Sequence, residues 1–303
     1  MVKYLRLNPV INKFIRNLLL TSDKYLTYLI SRWRLSGNIR LQVNGQSFLM
    51  YSRCDDGIID PIFYNRSYIE YKDLIVFTSF IQDENVIFDI GSNTGIYSIL
   101  SSITSEKSII YSFEPNLVNL KRLERNISLN RLKNITVVPK AVGSDNTIIS
   151  FTIPKAKIIS DTSSAIENFS KSTYKGKLAW KNIEVEQVSI DEFCNDNNIH
   201  HVHMIKIDVE GYELNVLNGA ATTIQKCKPI LLLESFINEE KKKYLQDFVK
   251  KYEYYVYIIL REGIIRIEND FNTKYGLNYL LLSYKTDKIF TSIKDIKTLH
   301  NKK

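Results

Sequence analysis

At 303 residues, 44% apolar and 24% charged, the chain has the composition of a soluble globular protein with room for one large core and an appendage. Its three cysteines, Cys54, Cys194 and Cys227, are scattered, which argues against a disulfide framework or zinc site and points to a reducing, cytoplasmic setting. The formal charge of +8 sits at the ends: residues 1–40 carry +7 and residues 285–303 carry +4, leaving −3 for 41–284. A mildly acidic middle makes nucleic acid an unexpected partner, since gripping a phosphate backbone needs a basic face.

Residues 10–33 space Val10, Ile11, Phe14, Ile15, Leu18 and Leu19, then Tyr25, Leu26, Leu29, Ile30 and Trp33, as one or two amphipathic helices broken near Ser22-Asp23. No apolar run reaches 18 residues and no small-residue cleavage site follows a hydrophobic core, so neither a membrane span nor a signal peptide is expected. The stripe suits a helical cap, a homodimer contact, or a helix lying on an anionic membrane surface. Residues 39–52 read as two strands turned at Asn44-Gly45. Residues 53–70 mix turn residues, aromatics and acids, and either overhang a pocket or pack; Tyr71–Phe80 is spaced as a helix.

Val86-Ile-Phe-Asp-Ile-Gly-Ser-Asn-Thr-Gly-Ile-Tyr-Ser-Ile-Leu100 predicts a buried strand ending in Asp89, a glycine-bracketed turn, and a helix carrying Ile96, Ile99, Leu100 and Ile103. Amides at such a helix start favour an anionic group. Ile109–Glu114 is a second strand ending in an acid. Pro115 then opens a helix with Leu117, Leu120, Leu123 and Ile127, and Ile135–Val138 is a third strand. Strand and helix alternating over short connections give a doubly wound α/β sheet.

Residues 148–153 and 183–188 alternate as strands around a long polar segment, 155–182, an antiparallel excursion over the ligand face. Ser189 is placed to cap a short helix, Ile190–Cys194. Met204–Gly211 is a fourth strand ending in acids; a helix follows, stopped at Gly219, and Pro229–Glu234 is a fifth strand. Tyr244–Tyr252 reads as a helix. Tyr254–Leu260, Ile264–Ile267 and Tyr279–Ser283 are strands without an intervening helix, so the last must run antiparallel to a neighbour. The chain thus divides into a helical and hairpin extension (1–70), a main domain (71–285) and a basic tail (286–303).

Ligands of such sheets bind outside the carboxyl ends of the strands. Asp89, Glu114, Asp208 and Glu234 all arrive there. The turn is Gly-x-x-x-Gly rather than Gly-x-Gly-x-x-Gly, which disfavours a nicotinamide dinucleotide. An acid-lined edge suits a ligand with hydroxyls and positive charge. S-adenosylmethionine (SAM) offers a sulfonium, an ammonium, a ribose diol for Glu114 and a carboxylate for the turn amides.

Asp89-Ile-Gly-Ser-Asn-Thr-Gly95, Phe113-Glu-Pro-Asn116, Val138-Pro-Lys-Ala-Val-Gly143 and Ile205-Lys-Ile-Asp-Val-Glu-Gly-Tyr-Glu213 resemble the successive motifs of the FkbM family of SAM-dependent methyltransferases. The resemblance covers about residues 55–284. It implies a class I methyltransferase (Rossmann-like) fold, a seven-stranded sheet with an antiparallel last strand, bound SAM, and O-methylation, often of sugar hydroxyls or natural products. Carried over, Asp89, Gly91, Ser92, Asn93, Gly95, Glu114 and Asn116 form the cofactor site, joined by Asn119, by Ala141 and Val142 on its adenine side, and by Asp208. The segment 155–182 and the arm 1–40 fall outside the pattern.

Methyl transfer to an alcohol needs close, collinear reactants and gains from a base. Asp208 is the first candidate base, with Glu210 and Glu234 behind it; alternatively Asp208 only holds SAM or Lys206. Lys206 lies on the same strand face as Asp208, and if buried it requires an acidic partner. His200, His201 and His203 precede the fourth strand, at the edge away from the acids, so no metal site is expected. The competing readings are an RNA methyltransferase and a non-catalytic SAM-binding module.

Overall fold

The computed structural model describes residues 8–20, 35–64, 69–154, 180–260, 263–267, 271 and 278–290. The expected helix near 25–33, most of the 155–182 segment and most of the 286–303 tail lie outside them.

Helix α1 (Pro9–Leu20) precedes a hairpin, β1 (Ser36–Val43) and β2 (Gln46–Arg53). The hairpin turns at Asn44-Gly45 with φ of 47° and 79°, as its sequence predicts. Helices α2 (Ile59–Tyr64) and α3 (Ile69–Ser79) lead into β3 (Val86–Ile90), α4 (Ile96–Thr104), β4 (Ile109–Phe113), α5 (Leu117–Asn130) and β5 (Ile135–Val138). A second sheet follows: β6 (Ala141–Val142) pairs parallel with β8 (Trp180–Val188), and β8 pairs antiparallel with β7 (Thr147–Pro154). Then come α6 (Ile190–Asp196), β9 (Met204–Ile207), α7 (Glu213–Gly219), α8 (Ala221–Cys227), β10 (Ile230–Glu234), α9 (Glu239–Lys251), β11 (Tyr254–Leu260), β12 (Gly263–Ile267), β13 (Asn278–Ser283) and α10 (Tyr284–Phe290).

The main sheet runs β12-β11-β13-β10-β9-β3-β4-β5. The five strands β10 to β5 are mutually parallel, and β13 lies antiparallel between β10 and β11. This is the expected doubly wound sheet with an antiparallel strand near its end, but with eight strands rather than seven, because β12 turns back along β11 and pairs with its outer edge. Ser189 caps α6 as expected, accepting from Glu192 N. Gly219 does not simply stop a helix. A Cβ there would meet the Gly143 carbonyl oxygen at 1.9 Å, so the glycine lets α7 approach β6, and α8 begins two residues later.

Strand periodicity sorts the core into two. Phe88, Ile90, Ile205, Ile207, Leu231, Leu233 and Leu281 face one side, packed with Leu217, Ile224, Leu245 and Phe248 from the helices. Ile87, Met204, Leu232, Leu280 and Leu282 face the other, packed with Leu74 and Phe77 of α3, Ile99 and Leu100 of α4, and Ile39, Leu41, Val43, Phe48 and Met50 of the hairpin. The hairpin therefore shares a core with the main sheet. Within segment 53–64, Ile59 and Ile62 are buried in the same cluster. Among the described residues no helix is long and apolar enough to cross a membrane.

Candidate active site

Strand alternation also decides what reaches the carboxyl edge. On the hairpin face β3 and β9 turn polar at Asp89 and Lys206, level with Leu232 and Leu280, while β10 and β13 turn polar two residues further on, at Glu234 and Asn278. On the opposite face Ile90, Phe113, Val142 and Val209 stay apolar, and a small cavity opens beside them. The site therefore has an apolar half and a charged half, divided by the sheet ends.

The cavity is lined by Gly91, Asn93, Glu114, Asn119, Ala141, Val142, Asp208 and Glu210 from the expected set, and by Phe151, Val209 and Tyr212. Glu114 is the buried acid at its base. Its Oε1 accepts from Asn116 N at 2.8 Å and its Oε2 from Asn93 N at 2.9 Å, and the Asn119 side chain hydrogen-bonds the same carboxyl, which together fix its plane. Burial outweighs these bonds and pushes its pKa up to about 7.

The remaining expected residues shape the cavity from behind. Asp89 is buried; its Oδ2 accepts from Ser98 N at 3.0 Å and Ser98 Oγ at 2.5 Å, tying β3 to the first turn of α4. Its Oδ1 has no hydrogen-bond partner among the described residues and lies 3.9 Å from Lys206 Nζ. Asn116 caps α5, accepting from Val118 N. Gly95 takes φ 90° at the start of α4.

The turn amides correct one expectation. Gly91 and Ser92 donate to the Phe113 carbonyl, Asn93 to Glu114, and Gly95 to the Ser92 carbonyl. These four hold the turn's shape and the Glu114 carboxyl, and do not form a row of donors waiting for a carboxylate. Gly91 is required for its own reason. At φ 73°, a Cβ there would lie 1.8 Å from the Asp208 carbonyl oxygen.

Lys206 is buried as the sequence required, and it is paired. Its Nζ donates to Asp208 Oδ2 at 3.0 Å and to the Gly91 carbonyl at 3.3 Å, and lies 5.0 Å from the Tyr97 ring centroid. Burial alone would lower its pKa, but the Asp208 and Asp89 carboxylates more than offset this and raise it, so the ammonium is held charged. Glu234 lies off the cavity, opposite Asn278, whose Nδ2 donates to the buried Asp73 on α3. Burial and the nearby Glu234 raise the Asp73 pKa well above the usual carboxylate range.

His203 Nδ1 accepts from Val86 N at the amino edge of the sheet. Among the described residues no group of three or more His, Cys, Asp or Glu side chains is placed to hold a metal. Tyr212 and Phe151 escaped the sequence reading. Tyr212 directly follows the Asp-Val-Glu-Gly run, but Phe151 comes from the second sheet, and no local pattern announces it.

The chemistry of the donor set fits SAM: a fixed carboxylate for the ribose diol, an apolar slot for the adenine and acids near the cationic end. The fold and the site together define a class I methyltransferase-type α/β domain. Residues 89–259, more than half of the chain, match the model of the methyltransferase FkbM domain, and the chain belongs to that family. The hexuronic acid methyltransferase AglP of Haloferax volcanii is 26% identical over 151 residues, 50% of this chain and 56% of the relative. Methyltransferase 1 of Beauveria bassiana is 23% identical over 146 residues, 45% and 59% of the two chains. The chain thus spans a little over half the length of these relatives. A solved FkbM methyltransferase from Methylobacillus flagellatus has a TM-score of 0.44 at 16% identity, covering 75% of this chain and 55% of that one.

Proposed function

We infer that the protein is a SAM-dependent O-methyltransferase acting on a hydroxyl of a sugar, glycan or glycosylated natural product. The observation that carries the reading is two acids on one cavity. Glu114 is fixed at the base of a half-apolar cavity suited to a nucleoside, and Asp208, held by Lys206, lines the same cavity, while Glu234 lies off it. The name of the Haloferax volcanii relative adds a hint of a sugar acceptor.

SAM supplies an electrophilic methyl on a cationic sulfonium. The protein's part is to hold the diol at Glu114, to keep the adenine between Val142, Phe151 and Val209, and to receive the acceptor's proton. Asp208, part-exposed and lining the cavity, takes that proton in this reading. The Lys206 ammonium, 3.0 Å away, fixes its orientation. Glu234 and Glu210 are the reserve candidates.

The test is transfer of labelled methyl from SAM to a panel of glycans, small glycosides and RNA. Labelling of glycosides supports the reading, and labelling of RNA alone overturns the sugar assignment. In the Asp208→Asn variant, a fall in kcat of about 10²–10⁴ with unchanged SAM affinity marks a base. Loss of SAM binding together with turnover marks a holding role for Asp208. A folded protein that fails to bind SAM would refute the whole reading.

A further inference from the structure

Helix α1 is built to be seen from outside. Asn8 Oδ1 accepts from Val10 N and Ile11 N, and Pro9 occupies the first turn, where its missing N–H costs nothing. The inward side is settled: Asn12 is buried and Ile11 half-buried. A Cβ on Gly37 of β1 would sit 3.2 Å from Pro9 Cβ, so the helix start rests against the hairpin. The outward side is apolar. Val10 is 76% exposed and Phe14, one turn on, is 67% exposed, with Lys13 exposed beside them. Two large apolar side chains stacked in water on one helix face, within a basic segment, ask for a partner.

The charge says which partner. Residues 1–40 carry eight basic side chains against the single Asp23, while residues 41–284 carry a net −3. A phosphate-rich partner attracts the first more strongly than it attracts the +4 of residues 285–303, and is repelled by the −3 between them. A nucleic-acid backbone would satisfy the charge but leave Val10 and Phe14 in water. An anionic lipid surface takes both. We propose that α1 docks this protein on an anionic phospholipid surface, with Val10 and Phe14 entering the headgroup–acyl boundary and the basic residues of 1–40 supplying the attraction.

The position of α1 gives the docking a purpose. Gly37 pairs with Ser52 at the open end of the hairpin. From there Cys54 N donates to the Leu35 carbonyl, Leu35 N donates to Asp60, and Asp56 Oδ2 accepts from Thr94 Oγ1 in the cofactor turn. Helix α1 therefore meets the hairpin at the end tied to the site, and a docked α1 holds the site close to the lipid headgroups. This part rests on the methyltransferase reading, whereas the docking itself does not.

The experiment uses the full chain with phosphatidylcholine vesicles that contain or lack about 30% phosphatidylglycerol. Cosedimentation should occur with the anionic vesicles, be weak with the neutral ones, and fall as salt is raised from about 0.05 to 0.5 M. Replacing both Val10→Ser and Phe14→Ser should lower partitioning by about tenfold. Melting and SAM binding should be unchanged, because neither side chain is buried or lines the cavity. Phe14→Trp should keep binding, and the emission of the introduced indole should shift to the blue on anionic vesicles. Equal binding to both vesicle types, partitioning unaffected by the double substitution, or an unshifted emission from the Phe14→Trp variant overturns the proposal. So does a dimer in light scattering that the double substitution dissolves without any vesicle binding, which would assign the face to a second copy. Vesicle binding without SAM binding would sustain the docking and sink the methyltransferase reading alone.

Discussion

Glu114 concentrates the residue-scale physics of the site. Burial raises its pKa to about 7, so the folded chain holds this proton more tightly than the unfolded chain, where a glutamate titrates near 4.5. Its contribution to stability is therefore present below about pH 4.5 and lost as pH rises through about 7. Accepting both ribose hydroxyls requires the ionised form. SAM affinity should accordingly rise about tenfold between about pH 6 and about pH 8 in calorimetry, and Glu114→Gln should weaken binding and flatten that dependence. Gly91→Ala should abolish SAM binding in a protein that still folds, because the Asp208 carbonyl oxygen occupies the space a methyl would need. Near-native far-UV circular dichroism without a calorimetric SAM signal is the expected result. Much of this was legible in the sequence, because a glycine-bracketed turn and an acid at a strand end are local features. The internal use of the turn amides was not, since it depends on how β3 and β4 come together.

Between elements, the firmest polar link is made by amides. Asn126 and Asn130 lie one turn apart on α5 and face the free edge of β2. Asn130 Oδ1 accepts from Leu49 N and its Nδ2 donates to the Leu49 carbonyl; Asn126 Oδ1 accepts from Tyr51 N while its Nδ2 donates to the Thr94 carbonyl. Two helix side chains thus continue the ladder that a third strand would have made, and they cover an edge otherwise open to aggregation. Asn126→Ala leaves the Tyr51 N–H and Thr94 C=O without these partners and should cost about 1–3 kcal/mol in urea unfolding. SAM affinity should fall with it, because Thr94 belongs to the turn. The hairpin was readable from Asn44-Gly45 and the helix from its leucines. The ladder was not, because Asn126 and Tyr51 lie 75 residues apart and an asparagine within a helix carries no mark of its partner.

At the scale of the whole molecule, the hairpin and the sheet form one body. Removing residues 1–53 would expose the face of Ile99, Leu100 and Phe77 that Ile39, Leu41, Phe48 and Met50 cover. The shortened chain should lose the cooperative thermal transition of the parent, a result calorimetry reads directly, although the sequence divides naturally after residue 70. SAM at about 100 times its Kd should stabilise the parent by about 2.7 kcal/mol and the Glu114→Gln variant by less. The strand order has a consequence in time as well as space. β13 lies between β10 and β11 although 17 residues separate the end of β11 from its start. As the chain leaves the ribosome, β10 and β11 must wait with two unpaired edges for residues that have not yet been made. An interior strand of this sheet is the last to be synthesised, and a nascent chain stalled before Asn278 is the species a chaperone would have to guard.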